Sequence, residues 1–161
     1  MKESTPAEIL IRLLSEQRRT LVTAESCTGG LLAGDLTACP GASEVFPGGL
    51  VTYSNELKHR LLGVPEEIFA RHGAVSGECA EAMARGVLSE FGSDYAAAIT
   101  GIAGPGGGSA AKPVGLVHFA VAAADGRLLR DHRIFPGDRA AIRAAAVRRA
   151  EELLLQLFGG D

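Results

Sequence analysis

Three side chains in the stretch Gly41–His59, GASEVFPGGLVTYSNELKH, could together perform acyl chemistry: the hydroxyl of Ser43, the phenol of Tyr53 and the amine of Lys58. A serine hydroxyl is a poor nucleophile until a base takes its proton. A lysine can be that base only where burial or a nearby cation depresses its pKa enough to leave it neutral. The β-branched and aromatic run Gly49–Tyr53 reads as a short buried strand. Ser43 then lies in the Gly/Pro-rich approach and Tyr53 and Lys58 at the exit, and the expectation is that hydroxyl and amine converge on one pocket. The same residues also fit a plainer reading: a turn-capping serine, a tyrosine at the core edge and a solvated lysine. Spacing alone does not choose between the two.

A second candidate region is Glu25-Ser26-Cys27-Thr28-Gly29-Gly30, followed by the apolar LLAGDL. A strand that ends in a small, glycine-bearing loop and opens a helix is where α/β proteins hold anions, because free N–H groups and the helix dipole face the ligand. Thr28, Gly29 and Gly30 are therefore candidate phosphate contacts, unless the loop is only a tight turn. Cys27 is a rival nucleophile there, since a helix start can lower a thiol pKa. No histidine is near it in sequence, and free cysteines are most often small core residues.

Two further segments could touch a ligand. Gly101–Gly115, GIAGPGGGSAAKPVG, is rich enough in glycine to allow close backbone approach, or to be a flexible connection. Arg139 and Arg143 fall in or near the first turn of the last helix, where positive charge opposes the helix dipole. That placement fits a held anion; the alternative is two solvated arginines.

The elements that must position these groups are legible. Thr5-Pro6-Ala7-Glu8 is a capping box with proline at the first helical position, and Ile9, Leu10, Leu13 and Leu14 continue the helix to about Gln17. Thr20–Ala24 is the first strand. Leu61–Pro65 is a turn, after which a short helix ends before Gly73. Ser76 caps a longer helix whose stripe is Ala80, Met83, Ala84, Val87, Leu88 and Phe91, closed by Gly92. Strands follow at Tyr95–Thr100, Leu116–Ala123 and Arg127–Phe135, the last two joined through Asp125-Gly126. Asp138 caps the final helix, with Ile142, Ala146, Ala150, Leu153 and Leu157 facing the core. This order predicts an α/β fold in one domain, residues 1–161: a mixed, mostly parallel sheet that ends in an antiparallel hairpin, with helices on both faces.

At 161 residues the chain can bury a real core, and 47% hydrophobic with 22% charged residues describes a globular protein. A net charge of −3 argues against a nucleic-acid partner, which would need a basic patch. Three cysteines without a CxxC pair fit reduced thiols better than a disulfide framework or zinc site, so a cytoplasmic protein is expected. The start, MKESTPAEILIRLL, reads as neither signal peptide nor membrane span. A short-chain dehydrogenase, with its serine and Tyr-x-x-x-Lys pair, is excluded. Tyr53 and Lys58 are five apart and share no helix face, and the glycine loop does not follow the first strand.

The motifs AESCTGG, VTYSNELK, GAVS, ITGIAGPGGGS, KPVG and FPGDR occur in that order from about Thr20 to Leu154. Together they resemble the CinA C-terminal domain family, whose enzymatic members are nicotinamide-nucleotide amidohydrolases. The resemblance implies a three-layer α/β/α sandwich and a serine–lysine hydrolase without metal or cofactor. It implies that Ser43, Tyr53 and Lys58 match the family's catalytic serine, tyrosine and lysine. Ala42 stands where the family has a first serine, and Glu44-Val45-Phe46 where Ala-Trp-Phe is usual. The substrate implied is a pyridine nucleotide, with Thr28, Gly29, Gly30, Phe46, Gly101, Gly104, Pro105, Gly106, Arg139 and Arg143 as candidate contacts. A homodimer is implied, with no membrane partner. Many members carry a further N-terminal domain resembling molybdopterin-binding proteins, for which 161 residues leave no room. The alternative is a non-catalytic nucleotide-binding or regulatory module that keeps the pocket.

Overall fold

A computed structural model describes residues 2–159. The chain opens with α1 (Pro6–Gln17), whose capping box is formed: Thr5 Oγ1 accepts from the Glu8 N–H at 3.2 Å and the Glu8 carboxylate accepts from the Thr5 N–H at 2.8 Å. Then come β1 (Leu21–Glu25), α2 (Leu31–Thr37), α3 (Ala42–Val45), β2 (Gly48–Val51) and α4 (Asn55–Leu62). They are followed by α5 (Glu66–His72), α6 (Gly77–Phe91), β3 (Tyr95–Gly101), β4 (Leu116–Ala123), β5 (Leu128–Ile134) and α7 (Arg139–Gly159).

The five strands form one mixed sheet in the order β2-β1-β3-β4-β5. β1 pairs parallel with β2 and β3, and β3–β4 and β4–β5 are antiparallel, so the antiparallel end is one pair wider than the hairpin alone. Strand side chains alternate between two cores. Leu21, Ala97, Ile99, Val117, Phe119 and Val121 face α1, α2, α3 and α7, while Val22, Ala24, Ala96, Ala98, Ala120 and Ala122 face α4, α5 and α6. This is the three-layer α/β/α sandwich.

Two sequence expectations are corrected. β2 is not a buried strand: it is the sheet edge, one side is solvated, and Val51 is 47% exposed. The residues after Tyr53 are not a simple strand exit but a helix, α4, started by Ser54, whose Oγ accepts from the Leu57 N–H at 3.1 Å. Four turns of α6 support α4 from below. A Cβ on Gly86 would lie 1.9 Å from Leu62 O, so only glycine lets the two backbones come this close.

The parallel pairing determines where a site can form. β1 leads through α2 and α3 to β2 on one side, while β3 leads on to β4 on the other. The crevice beyond their carboxyl ends is where doubly wound sheets bind ligands.

Candidate active site

Ser26 is the first residue past β1. Its N–H donates to Ile99 O at 3.0 Å, and the Thr52 N–H donates to Glu25 O at 2.9 Å, so the strand ladder holds the backbone here from both sides. Lys58 lies on α4 and points back over these strand ends. Only 1% exposed, its Nζ donates to Ser26 Oγ at 3.0 Å and to Tyr53 O at 3.2 Å. Burial holds the Lys58 pKa below the usual lysine value. Among the described residues no carboxylate forms an ion pair with it. The acidic groups that act on it are the thiols of Cys79 and Cys27, both pushed up to about 11 by burial and therefore protonated near neutrality. The arrangement is a buried amine with a depressed pKa touching a serine hydroxyl, which is what nucleophile activation requires.

The turn carrying Ser26 is gripped on two sides. Glu25, 1% exposed, accepts from Thr28 Oγ1 at 2.6 Å and from the N–H groups of Leu32 and Ala33 at 2.9 and 3.1 Å. Arg143 donates from the other side, Nε to Cys27 O at 3.0 Å and Nη2 to Thr28 O at 3.3 Å. A carboxylate at a helix start and a guanidinium on carbonyls are both charge-assisted contacts, roughly twice as strong as neutral ones.

The expectation of a phosphate cradle at Thr28, Gly29 and Gly30 is therefore not met by geometry. The chain's own carboxylate already occupies the start of α2. Thr28 is fully buried with its hydroxyl engaged, and the Gly29 N–H donates to Ser26 O. Arg143, expected near a ligand phosphate, is turned onto the Ser26 loop instead.

Ser43 does not meet Lys58. It is exposed on α3, and β2 lies between it and Tyr53, spanning about 13 Å at roughly 3.3 Å per residue. Residues before and after a strand lie at its opposite ends, so β2 holds Ser43 away from the end at which Lys58 meets Ser26. Phe46 is likewise part of the hydrophobic core beneath α1 and α7, away from the pocket.

Tyr53 does line the pocket, but its hydroxyl does not reach the Ser26–Lys58 pair. It is its main-chain oxygen that Lys58 contacts, while the phenol accepts from Arg139 Nη2 at 3.1 Å. Arg139 also donates to Gly104 O at 2.8 Å, and so ties the loops after β2 and β3 to the start of α7. That helix is capped as expected, with the Ala141 N–H donating to Asp138 Oδ1 at 2.9 Å. Gly101 lines the pocket, whereas Pro105 and Gly106 are exposed beyond its lining.

The cavity over Ser26 and Lys58 measures about 200 Å³, with Asn55, Thr100 and Ala103 among its walls. Three larger clefts, of about 260, 350 and 510 Å³, lie elsewhere, and none of them is lined by a lysine beside a serine hydroxyl. No group of three or more metal-ligating side chains occurs among the described residues. Nor is any described helix long and apolar enough to cross a membrane. The residues missed from sequence are Ser26 and Glu25. Their signal is the strand-to-helix turn Glu25–Gly30 itself, in which Ser26 stands at the strand end ahead of the thiol and the glycines.

Fold and site together define an α/β sandwich with a serine–lysine pair at the carboxyl ends of its parallel strands. The CinA C-terminal domain model matches residues 3–158, and the chain belongs to that family. A CinA-like protein of Mycolicibacterium gilvum is 54% identical over 142 residues, covering 88% of this chain and 34% of that protein. The chain spans about a third of the length of the curated relatives it matches. Among solved structures, a competence/damage inducible protein from Agrobacterium tumefaciens is 45% identical with a TM-score of 0.90, covering 98% of this chain and 99% of that one. A CinA superfamily protein from Escherichia coli is 37% identical, also with a TM-score of 0.90, covering 94% of this chain and 88% of that one.

Proposed function

We propose that the chain is an amidohydrolase that converts nicotinamide mononucleotide and water to nicotinate mononucleotide and ammonia, with Ser26 as nucleophile and Lys58 as its base. The observation that carries this reading is the 3.0 Å contact between Ser26 Oγ and a buried Lys58 Nζ that has no carboxylate partner among the described residues. Neutral Lys58 takes the Ser26 proton as Oγ attacks the carboxamide carbon, and then returns it to the departing nitrogen, so that ammonia leaves an acyl-enzyme. Water, deprotonated by the same amine, attacks the ester and releases the acid. In the turn after Ser26 the N–H groups of Gly29, Leu31, Leu32 and Ala33 already have acceptors. Those of Cys27, Thr28 and Gly30 are left as candidate oxyanion donors. Arg139 uses one N–H on Gly104 O and one on Tyr53 OH, which leaves three of its five donors for a phosphate.

The family membership supports the reaction class, since the resemblance that defines it includes such amidohydrolases. The test is ammonia release from nicotinamide mononucleotide by the wild-type chain and by Ser26→Ala. A wild type without turnover ends the proposal and favours a binding module.

A further inference from the structure

Tyr53 combines exposure with anchoring. It is 63% exposed, yet both ends of the residue are held: its main-chain oxygen accepts from Lys58 Nζ at 3.2 Å, and its phenol oxygen accepts from Arg139 Nη2 at 3.1 Å. Lys58 and Arg139 both line the cavity over Ser26, so the ring bridging them stands along its wall. An exposed tyrosine ordinarily loses rotamer freedom when a ligand covers it, whereas a ring already anchored loses little. The hydroxyl is turned to Arg139 and not to Ser26 or Lys58, so neither proton transfer passes through it.

We infer that the face of Tyr53 is a preset stacking surface for a planar, cationic aromatic ring, and that it selects the substrate's ring while leaving the chemistry to Ser26 and Lys58. The phenol face carries the negative end of the ring quadrupole, which favours a pyridinium over a neutral or aliphatic amide. This assignment rests on the amidase reading only for its choice of substrate.

The composition supplies a clean probe. The chain has no tryptophan and two tyrosines, and Tyr95 is 5% exposed with its ring centroid 4.4 Å from that of Phe158. Tyrosine fluorescence that a small solute can reach therefore comes from Tyr53. Nicotinamide mononucleotide should quench it saturably after correction for absorption, and ribose 5-phosphate, with the same phosphate but no ring, should not. Tyr53→Phe should remove the saturable quench and, keeping the ring but losing its anchor to Arg139 Nη2, should raise KM for nicotinamide mononucleotide by about 2- to 10-fold. Tyr53→Leu should raise KM for nicotinamide mononucleotide by about 10- to 100-fold with kcat nearly kept, the pattern of lost uniform binding. The inference is overturned by an absent or non-saturating quench in the wild type, by a kcat loss of about 100-fold or more in Tyr53→Phe, or by a wild-type KM in Tyr53→Leu. A protein that quenches saturably but releases no ammonia would refute the amidase reading and leave the stacking role intact.

Discussion

Ser26 and Ser43 are both small hydroxyls on the β1–β2 side of the sheet, but only Ser26 touches a buried amine. Ser26 is 7% exposed at the carboxyl end of β1, touching a buried amine that lies 32 residues away in sequence. Ser43 is closer to that amine in sequence but lies exposed at the amino end of β2, with Glu44 beside it bonded to Ser15 at 3.4 Å. Parallel strands collect their carboxyl ends on one side of a sheet, so groups that follow β1, β2 and β3 meet while groups that precede β2 cannot join them. Proximity in the chain is a poor guide when a strand intervenes.

The comparison breaks most sharply through paired alanine substitutions. Ser26→Ala should lower ammonia release from nicotinamide mononucleotide by about 10⁴-fold or more while melting like the wild type. Ser43→Ala, an exposed change away from any partner, should stay within about 2-fold. The reverse result in a steady-state assay would return the nucleophile to α3 and require the site to form some other way. Cys27→Ala should retain most activity, because its thiol, pushed up to about 11, is protonated at working pH.

Most of the fold could be read from the sequence, and the reason is local. The Thr5–Glu8 capping box, the Asp138 cap, the α6 stripe and the strands at Tyr95, Leu116 and Leu128 each carry their signal within a few residues. The site was half legible. Lys58 and Tyr53 stood out by residue type, but the partner of Lys58 is set by which strands are neighbours, and no local pattern states that β1 lies between β2 and β3. Helix α4 was missed because its polar sequence NELKHRLL has little apolar periodicity, and its one inward group besides Leu62 is the lysine itself. Glu25 was missed because a carboxylate in a strand reads as a solvent-facing residue until the helix start above it is seen.

The next largest effect should come from Lys58. Lys58→Arg should lose about 10³-fold or more, because arginine stays protonated and cannot take the Ser26 proton. In the wild type kcat/KM should rise with pH through a group titrating below the usual lysine value of 10.5, the direction burial imposes. The same shift has a stability sign. Between the depressed pKa and 10.5 the unfolded chain keeps the Lys58 proton that the folded chain has lost, so the Lys58 contribution to stability should increase with pH across that window, against the opposite contribution of the buried Cys27 and Cys79 thiols. Lys58→Met should flatten the increase in denaturant titrations at several pH values. A kcat/KM independent of pH from 6 to 10 would remove the lysine as base.

A smaller effect tests the grip on the Ser26 turn. Glu25→Gln replaces a carboxylate that accepts from three donors with an amide that cannot accept at both ends. It should cost about 2–3 kcal/mol of stability, on the scale of one or two hydrogen bonds to a charged group, and about 100-fold in kcat with KM little changed. Unchanged kcat in a folded variant would mean that α2 holds the turn without its carboxylate.

The smallest effect expected is at Arg139, and here two roles must be separated. Arg139→Ala removes the clamp on Gly104 O and Tyr53 OH and, on the proposed reading, a phosphate contact as well. Loss of the clamp should fall equally on nicotinamide riboside and nicotinamide mononucleotide, since both present the same ring to Tyr53. Loss of a charge-assisted phosphate contact, worth about 1.5–3 kcal/mol, should fall on the nucleotide alone as a further 10- to 100-fold in kcat/KM. The ratio of the two kcat/KM values, wild type against variant, therefore isolates the phosphate. Equal losses on both substrates would make Arg139 a structural clamp and nothing more. Arg143 would not then be the natural replacement, because its guanidinium is committed to Cys27 O and Thr28 O, and the phosphate would have to be sought along the exposed Pro105–Ala111 stretch of the loop after β3.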